Sequence, residues 1–151
     1  MIDDAGKVIV ARDGGVGGRW SSVGKSDFAR ERLGEMAGLR QDQAAALAQP
    51  EGCGENLCTW RSPRGRQVAS LQHDTALTSF CTPGAIVVAK TTPTADWRTR
   101  CNPAALIDGP SFAHAGGASI YETGSAIAIA RVYPPGRARA WDGGGAIDTD
   151  E

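Results

Sequence analysis

Ala85-Ile86-Val87-Val88-Ala89 is an unbroken apolar run of strand length. Side chains alternate between the two faces of a strand, so this run is apolar on both. Such a strand needs a covering layer on each side, as parallel strands flanked by helices have. Ala104-Ala105-Leu106-Ile107-Asp108 is a second run of the same kind. Two buried strands in one half of a chain restrict it to a layered α/β architecture.

The remaining segments fit that frame. Lys7 to Arg12 is a strand candidate, and after the glycine-rich stretch Gly14 to Gly18 the chain returns through Arg19 to Val23 as a second hairpin arm. Ser26 is a helix N-cap with Asp27 in the first turn; Ala29, Leu33 and Met36 share one face, and Gly38 stops the helix. A short helix over Gln41 to Ala48 ends before Pro50. Leu57 to Arg61 and Gln67 to Leu71 form a hairpin around Ser62-Pro63-Arg64-Gly65, followed by a short helix from Thr75 to Cys81. Lys90, Arg98 and Arg100 fall in a loop after the apolar strand. A last hairpin pairs Ser119 to Glu122 with Ile127 to Ala130. The expected fold class is α/β, a mixed β-sheet with short flanking helices. Residues 1–142 form one domain, and 143–151 a flexible tail.

A chain of 151 residues is one domain by length. Its formal charge of −1 supplies no global attraction to nucleic acid or to an anionic membrane, so a polyanion has to be met by a local patch. No apolar run reaches the roughly 20 residues of a membrane helix, and the opening residues lack a signal-peptide pattern. Cys53, Cys58, Cys81 and Cys101 leave three readings open: two disulfides, free buried thiols, or a four-thiolate zinc site. Cys53 and Cys58 have zinc-knuckle spacing; Cys81 and Cys101 do not.

Val23-Gly24-Lys25-Ser26 imitates the end of a phosphate-binding loop, whose backbone N–H groups wrap phosphates. That loop needs a glycine where this chain has Arg19, so a glycine turn before a capped helix is the plainer reading. His73 and His114 have no nucleophile system around them in sequence. Basic residues gather at Arg61, Arg64 and Arg66, and again at Lys90, Arg98 and Arg100, with Trp60 and Trp97 nearby. Cations interleaved with aromatic rings form surfaces for phosphates and unstacked bases, so these eight residues are the candidates for nucleic-acid contact.

Several segments in order carry a resemblance. Gly52-Cys53-Gly54-Glu55-Asn56-Leu57-Cys58 precedes the hairpin, and a Cys-ended helix leads into Ala85 to Ala89. Arg98-Thr99-Arg100-Cys101 then leads into Leu106-Ile107-Asp108 and Gly116-Gly117. The stretch from Gly6 to Gly15, the stretch from Ser26 to Leu39 and the closing Ala140-Trp141 complete the pattern. Taken in this order over about residues 3 to 142, the chain resembles the C-terminal domain of alphaproteobacterial ComEC-family competence proteins. That resemblance implies part of a metallo-β-lactamase-like sandwich in a protein that moves single-stranded DNA across the inner membrane.

Hydrolytic members of that fold carry an H-x-H-x-D-H cluster whose metals activate water. This chain has no such cluster; Asp74 stands as a remnant beside His73, and Ala89-Lys90-Thr91-Thr92 replaces the next ligand segment. The resemblance therefore implies a non-catalytic domain without metal or other cofactor, with single-stranded DNA, the membrane part of the parent protein and other uptake proteins as partners. It implies a position on the periplasmic side. That side favours disulfides, and pairing by sequence proximity gives Cys53–Cys58 and Cys81–Cys101. The alternatives are a residual metal-dependent phosphodiesterase and a nucleotide-binding domain using Gly24-Lys25-Ser26.

Overall fold

The computed structural model describes residues 2, 8–12, 18–22, 27–47, 52–111, 117–123 and 125–131. The Val23–Ser26 segment, His114, the Ala140-Trp141 end and the expected tail lie outside them.

The centre is a five-stranded mixed sheet in the order β3 (Gly52–Cys53), β4 (Leu57–Arg61), β5 (Gln67–Leu71), β6 (Ile86–Ala89) and β7 (Ala105–Ile107). The first three strands pair antiparallel; β5, β6 and β7 are parallel. Each parallel step passes through a helix, first α3 (Asp74–Ser79) and then α4 (Ala95–Cys101). The apolar run at Ile86–Ala89 is buried at every position, as a strand covered on both faces must be.

Period-2 alternation sorts its side chains into two clusters. Val87 and Ala89, with Ala69 and Leu71 of β5, pack against Ala76, Leu77, Phe80, Trp97 and Cys101 of the helical layer. Ile86 and Val88, with Cys58, Trp60, Val68 and Ile107, face the other way. They meet Ile2, Ile9 and Ala118, with Ile120 and Ile127 packed alongside. Apart from Ile2 these residues belong to two hairpins, β1 (Val8–Arg12) with β2 (Gly18–Ser22), and β8 (Ala118–Thr123) with β9 (Ala126–Arg131). Ile2 joins the two by bridging to both Ile9 and Ala118. On the far side of β1, Val10 packs with Leu33 of helix α1 (Asp27–Met36), Ala44 of helix α2 (Gln41–Ala45), and Leu39 and Leu47, which flank α2. The layers therefore run α, β, β, α, and the fold is mixed α/β.

Local chemistry fixes the breaks. Gly38 (φ 81°) takes the left-handed conformation after α1; its N–H donates to Glu35 and that of Leu39 to Gly34, closing the last carbonyls of the helix. Leu33 is buried as the helical spacing predicts, but Met36 is half exposed, because the buried stripe moves on to Leu39. The stretch expected as a loop around Arg98 and Arg100 is instead α4. Thr94 caps it by accepting from the Trp97 N–H at 3.2 Å, and Asn102 ends it in the left-handed region. The sequence carried that helix in Thr94, three residues before Trp97, and in the i, i+4 pair Trp97 and Cys101 that faces the sheet.

All four cysteines are bridged, Cys53 to Cys58 and Cys81 to Cys101. Cys53 and Cys58 face each other across β3 and β4, beyond the two-residue turn Glu55-Asn56 that Gly54 and Leu57 close with a 2.8 Å hydrogen bond. Cys81, just after α3, ties to Cys101 at the end of α4 and clamps the two helices of one layer together. Cys58 and Cys101 sit in clusters on opposite faces of the sheet, so the four sulfurs do not meet at one metal.

Candidate nucleic-acid interface

The β4–β5 hairpin turns through Ser62-Pro63-Arg64-Gly65. Gly65 (φ 81°) donates to the Ser62 carbonyl at 2.8 Å, and the Ser62 N–H donates to Arg66 at 2.8 Å, giving a three-residue loop with a left-handed third position. This turn lies where β5 and β6 begin. Lys90 follows β6, so it lies at the other end of the same strands. Lys90 is thus separated from Arg61, Arg64 and Arg66 by the length of the strands, and the basic residues read from the sequence do not form one patch.

Within each group the side chains differ in what they hold. Arg66 donates to Glu122 at 3.1 Å, to the Gly84 carbonyl at 2.8 Å and to the Ser125 carbonyl at 3.5 Å, tying β5 to the segment before β6 and to the β8–β9 hairpin. Arg61 folds back onto the Gly65 carbonyl at 2.8 Å. Arg98 meets Asp108 at 2.8 Å and the Pro93 carbonyl at 3.2 Å; Asp108 also accepts from the Ser111 hydroxyl at 2.8 Å. Arg100 stands 3.8 Å from Asp96 on the exposed face of α4. Arg64 and Lys90 are exposed and, among the described residues, have no carboxylate partner.

Trp60 and Trp97 require a correction. They are 8% and 5% exposed, so both rings are core packing and not open surface. Trp97 is the keystone of the helical layer, its indole N–H donating to the Leu77 carbonyl at 2.7 Å and the Phe80 carbonyl at 3.2 Å. Trp60 fills the space between the sheets, its N–H buried without an acceptor among the described residues. In an alternating half-buried strand an aromatic at a core-facing position is packing, and Trp60 is at such a position.

An exposed ring beside this turn is one the sequence did not single out. A cleft of about 780 Å³ opens between the sheets, with Trp60, Val68, Ile86 and Ile120 as its floor. Arg64 and Tyr121 stand on its rim, and Tyr121 is 55% exposed. Tyr121 lies on β8 at the position facing away from the core, which the alternation of Ile120 and Glu122 around it marks. The structure thus brings Arg64, without a carboxylate partner among the described residues, and the exposed Tyr121 to the lining of one cleft, from elements far apart in sequence.

At the other end of the parallel strands, Asp74 opens α3 with its side chain exposed, His73 before it is exposed as well, and Lys90 ends the neighbouring strand. Among the described residues no three His, Cys, Asp or Glu side chains are grouped so as to hold a metal ion. Gly109 runs against this strand end so closely that a Cβ there would lie 2.5 Å from the Lys90 carbonyl oxygen. No helix among the described residues is long and apolar enough to cross a membrane. Compared with known protein families, with curated proteins and with solved structures, the chain matches none.

Proposed function

We propose that this chain is a non-catalytic domain of a ComEC-type inner-membrane DNA-uptake protein that touches single-stranded DNA at the cleft rim formed by Arg64 and Tyr121. The observation that carries the reading is that pairing of an exposed ring with an uncommitted guanidinium on one rim. An aromatic face takes a base of any identity, and the cation takes the phosphate beside it, which is contact without sequence readout. Two further features support the setting. The α, β, β, α layer order is consistent with the sandwich that the sequence resemblance implies. Two disulfides suit an oxidising compartment, which for an inner-membrane protein is the periplasmic side.

At the strand ends where a hydrolytic relative would hold metal, this chain offers His73, Asp74 and Lys90, and Lys90 contributes a fixed positive charge. The membrane part of the parent protein and other uptake proteins are the remaining partners in this reading.

The test is fluorescence anisotropy with a labelled single-stranded oligonucleotide at two salt concentrations. Expected is weak binding, with Kd on the order of 10⁻⁴ to 10⁻⁶ M, that falls as salt rises because phosphate contacts release counterions. Tyr121→Ala loses one stacked base, about 1–3 kcal/mol or roughly five- to 160-fold. Arg64→Ala weakens binding and flattens the salt dependence. Absence of binding at low salt overturns the reading. Metal-dependent cleavage of the oligonucleotide that Asp74→Ala abolishes would replace it with a residual phosphodiesterase.

A further inference from the structure

In the β8–β9 register Thr123 and Ala126 form a hydrogen-bonded pair, and every second pair after them is hydrogen-bonded too. Ala126, Ala128 and Ala130 therefore spend their N–H and C=O groups on β8. Ile127, Ile129 and Arg131 point theirs outward. The other side of the hairpin verifies this parity: Ala118, opposite Arg131, points its groups away from β9 and exchanges both with Ile2, at 2.8 and 3.1 Å. Among the described residues nothing takes up the outer edge of β9.

Unpaired sheet edges are normally blunted by shortness, bulges, proline or charge. The edges of the central sheet follow that rule, with two residues in β3 and three in β7. β9 does not. Its six residues pair with β8 in continuous register, contain no proline, and carry one charge, Arg131 at the very end. Ile129 is 36% exposed although it lies on the face directed toward the core, and the opposite face presents only alanines.

We propose that β9 is a self-association edge at which a second copy of this chain adds its own β9 in antiparallel register. The strand is self-complementary. A two-fold axis through Ile129 pairs Ile129 with its copy, and pairs Ile127 and Arg131 with Arg131 and Ile127 of the other copy. All three outward-facing residues of both strands are then hydrogen-bonded. The same register keeps the two arginines apart and lays each aliphatic stem over an isoleucine, so no like charges face each other. Isologous pairing of this kind closes at two copies and does not propagate. A single strand pair buries less than the roughly 1,000 Å² of a stable complex, so the dimer is weak and concentration-dependent. This inference is independent of DNA contact.

The test is sedimentation equilibrium over a wide concentration range, with circular dichroism confirming that each variant folds. The wild-type chain shifts from 15.7 kDa toward twice that mass as concentration rises. Ile129→Pro removes an N–H that no bond to β8 uses, so the hairpin keeps its ladder and dimerisation weakens at least tenfold. Ile129→Lys, which sets like charges opposite each other across the axis, gives the same loss and decides the matter if the proline variant does not fold. A wild-type chain that stays monomeric throughout, or a folded variant that associates as the wild type does, overturns the proposal.

Discussion

Substituting Arg66 by alanine separates a structural cation from a binding one. The guanidinium, about a quarter exposed, joins three segments through Glu122, the Gly84 carbonyl and the Ser125 carbonyl. Truncation removes two well-formed charge-assisted bonds and leaves Glu122, whose side chain is 13% exposed, without its cation. Bonds to charged groups contribute about 1.5–3 kcal/mol each. Partial exposure and salt screening place this pair of bonds toward the low end, so the expected loss is about 2–3 kcal/mol. For a chain of this size that lowers Tm by roughly 4–12 °C. Urea unfolding of Arg66→Ala, Glu122→Gln and the double variant gives the coupling, expected at about 1–2 kcal/mol for residues in one network. Arg64→Ala, at the turn tip, leaves stability within about 0.5 kcal/mol of wild type. If Arg66→Ala unfolds at the wild-type urea concentration yet weakens oligonucleotide binding as much as Arg64→Ala, the assignment of roles is wrong.

Two further outcomes follow from the cross-links and from one close contact. Replacing Cys81 and Cys101 by alanine frees the longer loop, at a sequence separation of 20, and costs about 3 kcal/mol in the chain-entropy account, against about 2 kcal/mol for Cys53 and Cys58 at a separation of 5; urea unfolding should return that order, and the reverse order would refute it. Gly109→Ala sets a methyl group against the Lys90 backbone carbonyl and destabilises by about 1–3 kcal/mol; an unchanged Tm would show that the strand ends can part there.

The central sheet was legible in the sequence because burial on both faces removes polar residues outright, as Ala85–Ala89 shows directly and Ala105–Ile107 repeats in shorter form. The Leu57–Arg61 and Gln67–Leu71 hairpin was legible for a different reason: Pro63 and Gly65 name their turn. Helix α4 was hidden by its charge. Asp96, Arg98 and Arg100 read as loop, while the two residues that anchor it, Trp97 and Cys101, carry their meaning only through spacing.

The site was less legible than the fold. A basic residue on a turn looks the same in sequence whether it binds a ligand, like the proposed Arg64, or bonds another strand, as Arg66 does. Trp60 and Trp97 show the converse ambiguity, since a large ring serves a core and a binding face equally well. Tyr121 reaches the same cleft as Arg64 only through the packing of β8 over the sheet, a long-range fact that no local pattern records.

The seam at Ile2 bears on the order in which the domain can assemble. Each disulfide joins residues near in sequence, whereas the bonds of Ile2 to Ala118 join one of the first residues described to one of the last elements. Contacts of such separation close late, since the loop entropy must be met before they form. During synthesis the sheet from β3 to β7 has all its strands before Ala118 exists, so the face bearing Ile86 and Val88 stays uncovered by the β8–β9 hairpin for that interval. Vectorial folding of this chain therefore passes through a stage in which that sheet face is covered only in part, by Ile9 of β1, and the arrival of the last hairpin, not the covalent links, ends it.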